Sequence, residues 1–261
     1  MRTWLLLRGW AREARHWGKF PDELRAALPG WEMRTLDLPG NGRLCERRSP
    51  LSVPAMVDEL RALHVRRGGR YALLGLSLGA MACIDWALRY PGEVEACVLL
   101  NTSLRPFSRF YERLRPGAYG TILRSALFEP DATRREAAIL RMTSATARAD
   151  AALAATWAVY AHERPVSRAN VLRQLIAAAR YRVPSSAPRS PVLLLAGARD
   201  RLVNPNCAAR LASAWNVPLA VHPTAGHDLT LDDGPWVAAQ VKEWLKRLGV
   251  QVANSGFASP T

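Results

Sequence analysis

The sequence predicts an α/β protein built on a mostly parallel central sheet with helices on both faces. Three observations carry that reading. Short Leu- and Val-rich runs alternate with helical patterns along most of the chain, 49% of its 261 residues are hydrophobic, and no uncharged apolar run is long enough to span a bilayer. Strands that alternate with helices pair in parallel and are covered on both sides. The apolar content supplies a large core and excludes a disordered chain. The Thr3–Leu7 segment is too short for the apolar region of a secretory signal before Arg8. A cytoplasmic protein is expected.

The elements follow in order. Trp4–Leu7 reads as the first strand. Phe20–Leu28 reads as a helix, with Pro21 near its start and Pro29-Gly30 ending it. Met33–Leu36 is a second strand, closed by Asp37-Leu38-Pro39-Gly40, and Ser52 is the N-cap of a helix over Val53–Val65. Tyr71–Leu76 is a strand followed at once by a helix over Leu78–Arg89, which stops before Pro91. Val94–Leu100, Pro191–Ala196 and Pro218–His222 are the remaining strands. The last helix covers Trp236–Leu248, its apolar residues on one face and Gly249 just past its end.

The interval between residues 100 and 191 has no strand pattern and reads as helices at 107–114, 133–147, 150–162 and 166–180. Such an insertion is expected over the carboxyl ends of the strands, where open α/β sheets bind ligands. The expected organisation is a core of residues 1–102 and 191–250, a helical cap over 103–190, and a flexible tail over 251–261.

The chain carries 36 Lys+Arg against 22 Asp+Glu, a net charge of +14, and only Lys19, Lys242 and Lys246 are lysines. A basic surface attracts acidic partners. No helix-turn-helix, aromatic RNA-binding strand or zinc finger accompanies the charge, so nucleic acid is not an expected partner, and neither is a membrane. Cys45, Cys83, Cys97 and Cys207 form no CxxC and no Cys/His pair at ligand spacing. They read as thiols in a reducing compartment, with no metal and no cofactor.

Chemistry concentrates at Gly75-Leu76-Ser77-Leu78-Gly79, a G-x-S-x-G turn between a buried-type strand and a helix. That context is a nucleophile elbow: it forces Ser77 into a strained conformation and holds its hydroxyl at a helix N-terminus. A serine hydroxyl needs a base. His227 lies in the small-residue loop Thr224-Ala225-Gly226-His227-Asp228 after the last strand, with His222 in reserve. His16, His64 and His162 read as ordinary surface residues. Asp200 follows an apolar strand through Gly197-Ala198-Arg199 and stands at its carboxyl end, which gives the chain order Ser, Asp, His. Asp228, Asp232 and Asp233 read as caps of the last helix or solvent-facing groups. The expected oxyanion donors are the backbone amides of Leu78, next after the serine, and Trp10, in the loop after the first strand.

With these residues in place, the chain resembles the α/β-hydrolase superfamily across most of residues 3–249. The strings Leu5-Leu6-Leu7-Arg8-Gly9-Trp10, Asp37-Leu38-Pro39-Gly40-Asn41-Gly42, Gly75–Gly79 and Gly197–Val203 look most like the small carboxylesterases, including the pimeloyl-[acyl-carrier-protein] methyl ester esterases of biotin synthesis. The resemblance implies the α/β-hydrolase fold with a helical cap. It also implies nucleophile, acid and base at Ser77, Asp200 and His227, with oxyanion donors at Leu78 and Trp10. Two departures stand out: Arg8-Gly9 replaces the usual His-Gly, and Gly79-Ala80 replaces a Gly-Gly pair.

The function expected is therefore hydrolysis of an aliphatic acyl ester, with pimeloyl-[acyl-carrier-protein] methyl ester as a specific substrate. A thioesterase, lactonase or perhydrolase would use the same residues, and a non-catalytic small-molecule receptor is the alternative of a different class. Residues 103–191 hold 15 arginines, no lysine and 6 acidic residues, so nine of the fourteen net positive charges lie there. That surplus, together with the way the related esterases use basic residues in this region, points to docking of an acidic acyl carrier protein, with Arg113 and Arg124 as candidate contacts.

Overall fold

Strands β1 (Arg2–Leu7), β2 (Trp31–Leu36), β3 (Tyr71–Leu76), β4 (Val94–Leu100), β5 (Val192–Gly197) and β6 (Leu219–His222) form one sheet in the order β2-β1-β3-β4-β5-β6. Every neighbouring pair is parallel. This computed structural model describes residues 2–65, 68–127 and 129–250, so the tail expected over 251–261 lies outside the described residues. The chain enters at β1, steps to β2 on one side, then crosses to β3 on the other. That reversal opens a crevice above the carboxyl ends of β1 and β3, where α/β sheets bind ligands.

Strands β1, β3, β4 and β5 are buried on both faces, which is why they read as apolar runs rather than as alternating ones. Leu5, Leu7, Leu73 and Leu99 pack with α2 (Val53–His64), α3 (Leu78–Arg89) and α9 (Asn206–Trp215) on one face. Trp4, Leu6, Leu74 and Val98 pack with α1 (Phe20–Ala27) and α10 (Leu229–Arg247) on the other. Ser52 caps α2 as expected, its hydroxyl accepting from the Ala55 amide, and Gly249 closes α10 in the left-handed conformation.

Between β4 and β5 the chain forms α4 (Phe110–Arg113), α5 (Pro116–Leu127), α6 (Ala132–Thr143), α7 (Ala151–Glu163) and α8 (Arg168–Arg180). Asp131, Asp150 and Ser167 cap α6, α7 and α8 by accepting from backbone amides. A small apolar cluster of Leu140, Ala154 and Trp157, with Leu231 against it, ties α6 and α7 to α10.

Three elements depart from expectation. Helix α5 was unmarked because Pro116, Gly117 and Gly120 weaken its pattern, yet Pro116 fits a first-turn position, where its missing N–H costs nothing. Helix α9 has a buried stripe of Cys207, Ala208, Leu211 and Trp215 but is only ten residues long. Helix α10 starts seven residues early, and Asp233 breaks its geometry (φ −157°, ψ 76°) ahead of Pro235.

Helix α3 leaves β3 without a linker and lies almost on β1. A Cβ at Gly79 would sit 2.1 Å from the Leu7 carbonyl oxygen and 2.6 Å from that of Arg8. Neither backbone can yield without losing sheet pairing. Gly120, inside α5, has nothing within 4 Å of the same position. Gly79→Ala is therefore expected to lower stability by about 1–3 kcal/mol or more, while Gly120→Ala raises it by roughly 0.5–1 kcal/mol, in urea titrations of the two variants.

Candidate active site

Ser77 sits at the tip of the β3–α3 turn with φ 55° and ψ −113°, a conformation that costs an L-residue of order 1–3 kcal/mol. Backbone bonds hold it there. Its amide donates to the Leu100 carbonyl (2.9 Å), and its carbonyl accepts from the Met81 amide (3.1 Å) and the Thr102 hydroxyl (3.3 Å). A Cβ at Gly75 would lie 2.5 Å from the Ala80 nitrogen, so only glycine allows the turn to close this tightly.

Asp200, just after β5, and His227, in the loop after β6, meet each other. His227 Nδ1 and Asp200 Oδ2 are 2.7 Å apart, and both side chains are buried. The second carboxylate oxygen, Oδ1, accepts from the Leu202 and Val203 amides at 2.8 Å each. The carboxylate is thus fixed on both oxygens, with one aimed at the imidazole. Ser77 and His227 line one cavity of about 1000 Å³, although no direct hydrogen bond links them among the described residues.

Trp10 and Leu78 line the same cavity, and neither backbone amide has a hydrogen-bond acceptor among the described residues. The Trp10 loop is anchored to α8: its indole N–H donates to the Val171 carbonyl (2.8 Å) and the Ala11 amide to Gln174 Oε1 (3.0 Å). Gln174 in turn donates to Asn41 Oδ1 (2.7 Å) in the Asp37–Gly42 turn. Two free amides, one in the loop after β1 and one at the start of α3, therefore belong to residues that line the same cavity as Ser77.

Sequence reasoning missed two side chains that build the His227 loop. Asn101, at the carboxyl end of β4, donates to the Gly226 and His227 carbonyls (2.9 and 2.6 Å) and accepts from the Gly197 amide (2.8 Å). A lone Asn directly after an apolar strand was the available signal. Asp232 accepts from the Gly226 amide (2.6 Å) and from the Ala145 and Thr146 amides of the helical insertion, with the Ser144 and Thr146 hydroxyls donating as well.

Other expectations need correction. Asp232 is thus neither a cap nor solvent-facing, and Asp228 is buried against Arg8. Arg8 is itself buried, with its guanidinium also over the Trp17 ring. His222 is not a reserve base: Nδ1 accepts from the Thr224 and Ala225 amides and Nε2 bonds Asp233, away from the cavity. Arg113 is no free rim charge, because its guanidinium donates to the Ala178 carbonyl (2.6 Å) and the Ala179 carbonyl (3.3 Å) at the end of α8. Burial, and then the charge of Arg105, push its pKa down. Arg124 is exposed and has no side-chain partner among the described residues.

The sequence pattern of the Alpha/beta hydrolase family matches residues 4–240. The chain belongs to that family. A 101-residue stretch is 34% identical to the biotin biosynthesis bifunctional protein BioHC of Cellvibrio japonicus. It covers 39% of this alpha/beta hydrolase but only 19% of that longer protein. Similar solved structures include a thermophilic esterase from Thermogutta terrifontis (TM-score 0.70, 21% identity, 95% of this chain and 90% of that one). A meta-cleavage product hydrolase from Pseudomonas fluorescens IP01 also superimposes (TM-score 0.74, 18% identity, 95% and 92% coverage). No helix among the described residues is long and apolar enough to cross a membrane.

One wall of this hydrolase's cavity corrects the reading of His16 as a surface residue. It is buried edge-on against Trp157 and Tyr160, with ring centroids 4.9 and 5.7 Å away. Burial first, and then the charges of Arg12 and Arg8, hold its pKa well below the ordinary imidazole value. The folded state keeps it neutral, whereas the unfolded chain takes up a proton below about pH 6.5. The unfolded state then binds more protons, so stability falls as pH drops through that window. His16→Gln is expected to flatten the decline of the urea midpoint between about pH 7 and about pH 5 relative to wild type.

Proposed function

We propose that the protein is a serine hydrolase of carboxylic esters, and that Ser77, His227 and Asp200 act as nucleophile, base and acid. The observation that carries this reading is the buried Asp200–His227 hydrogen bond of 2.7 Å facing the cavity that holds the strained Ser77. In the first half-reaction His227 Nε2 removes the Ser77 proton and Oγ bonds the ester carbonyl carbon. The resulting oxyanion accepts from the Trp10 and Leu78 amides. His227 then returns the proton to the leaving alcohol oxygen as the carbonyl re-forms on the acyl-enzyme. In the second half, water loses a proton to His227, attacks the acyl carbon, and Oγ leaves with that proton. Asp200 keeps the Nδ1–H tautomer and stabilises the imidazolium. Each oxyanion donor contributes about 2.7–4 kcal/mol to barrier lowering.

The substrate in this reading is an ester with an aliphatic acyl chain, because Leu78, Met81, Ile139, Val171 and Leu175 supply apolar wall to the cavity. Pimeloyl-[acyl-carrier-protein] methyl ester is the specific candidate. Two things support it: the partial likeness to BioHC and the positive surplus of the insertion. Arg124 faces a second groove of about 790 Å³, shared with Arg134, Arg141, Arg148 and Arg201. In this reading that groove and its rim meet the acidic carrier.

A fluorophosphonate probe is expected to label wild-type protein and not Ser77→Ala; an unlabelled, folded wild type would move the chain to the receptor reading. Asp200→Asn is expected to keep the fold and lower kcat by roughly 10⁴-fold through the wrong tautomer, measured on a short aliphatic ester. Rim charges act on association. Added salt is expected to lower kcat/KM steeply for a carrier-linked acyl ester and hardly at all for a small neutral ester. Arg124→Glu should slow only the former. Equal salt dependence of the two substrates would leave a general small-ester hydrolase.

A further inference from the structure

The charged pair Arg8–Asp228 occupies a position that the proposed reaction does not use directly. Arg8 is the first residue after β1, and two residues later comes Trp10, with its free amide. Asp228 immediately follows His227. Arg8 Nη1 donates to Asp228 Oδ1 at 3.0 Å and Nη2 to Oδ2 at 2.5 Å, a two-point contact between residues 220 apart in the chain. The side chains are 2% and 5% exposed. The bond therefore ties the loop that offers an oxyanion donor to the loop that presents the base, both of which line the cavity with Ser77.

We infer that Arg8 and Asp228 are positioning residues: their ion pair sets the spacing between the Trp10 amide and the His227 imidazole and cancels the charge of each beside that imidazole. The inference rests on the hydrolase reading above. A buried fork-to-carboxylate contact fixes orientation as well as distance, which a single-point contact cannot do. The surroundings leave Asp228 little freedom to adapt. Its amide donates to the Thr143 carbonyl (2.8 Å) and its Oδ1 accepts from the Thr230 hydroxyl (3.3 Å). Arg8 is equally confined, with its guanidinium carbon 4.9 Å from the centre of the Trp17 ring.

The charges around the pair come from four elements. Arg12 flanks it from the loop after β1 and His227 from its own loop, with Asp200 at the end of β5 bonded to His227. Glu136 of α6 neutralises Arg12 at 2.6 Å, and His16 is held neutral nearby. Burial pushes the Asp228 carboxyl up, but the charge and hydrogen bonds of Arg8 outweigh it, with His227 and Arg12 adding to the downward shift. Asp228 is therefore a carboxylate in the residue next to the base, and Arg8 balances its charge there.

Single variants should separate charge from geometry. Arg8→Met leaves the Asp228 carboxylate uncompensated, so the midpoint of the kcat/KM-versus-pH profile should rise by about half a pH unit. Asp228→Asn leaves the guanidinium uncompensated, so the midpoint should fall by a similar amount. The double variant should restore the wild-type midpoint. All three should lose roughly tenfold or more in kcat on a small neutral ester, with little change in KM, because the spacing is no longer held. Arg8→Lys should keep the midpoint and recover only part of kcat. Midpoints that stay put or move together, or kcat losses that simply track the urea midpoints, would overturn the inference. If either single variant fails to fold, the double variant and Arg8→Lys decide: reduced kcat at the wild-type midpoint supports positioning, and wild-type kcat in either refutes it. Absence of wild-type turnover and labelling would instead refute the hydrolase reading itself.

Discussion

The contact between α3 and β1 is the constraint on which the crevice depends. Helix dipole, sheet edge and serine hydroxyl meet there only because Gly79 brings two backbones closer than any side chain permits. With α3 pressed on β1 and Gly75 facing the first turn of α3, the chain between them has no route except the left-handed backbone at Ser77. The strain is local and modest beside the core on each side of the sheet, which is what over-determines it. The free amide of Leu78 is a by-product of the same geometry, since the first turn of a helix has no internal acceptor for it.

Around that point the molecule handles its charge in two ways. Several charged groups of the cavity wall are paired: Arg8 with Asp228, Arg12 with Glu136, and Arg164 with Glu13. An uncompensated charge in the same position would cost several kcal/mol. Outside the wall, Arg124, Arg141 and Arg201 are exposed and make no ion pair among the described residues. Part of the chain's surplus positive charge is therefore at the surface, while Arg113 is satisfied by backbone carbonyls rather than by a carboxylate.

The centre of the sheet was legible in the sequence because β1, β3, β4 and β5 are buried on both faces and stand out as apolar runs; Tyr71–Leu76 and Val94–Leu100 coincide with β3 and β4 to the residue. Ser77, Asp200 and His227 were legible because each follows a strand end. What escaped had no local signature. Helix α5 carries two glycines and a proline, and its helical state is imposed by packing in the insertion. Asn101 and Asp232 act through backbone groups far away in the chain, at separations of 125 and 87 residues, and a single sequence holds no record of such pairs. The role of Arg8 was hidden for the same reason, and Asp228 looked like a helix cap because it does stand at the start of α10.

Asp232 holds residues from both the His227 loop and the 144–146 turn of the insertion on a single carboxylate. The Asp228 amide and Thr143 carbonyl add a second stitch between the same two segments. The boundary between insertion and core is consequently not a seam along which the two could be exchanged between relatives. A hybrid that takes residues 103–190 from another hydrolase inherits a foreign partner for Asp232, and with it a displaced imidazole. Substrate range in this scaffold is thus best altered by substitutions within the existing helices, or by transplanting the insertion together with residues 226–232 as one inheritable unit.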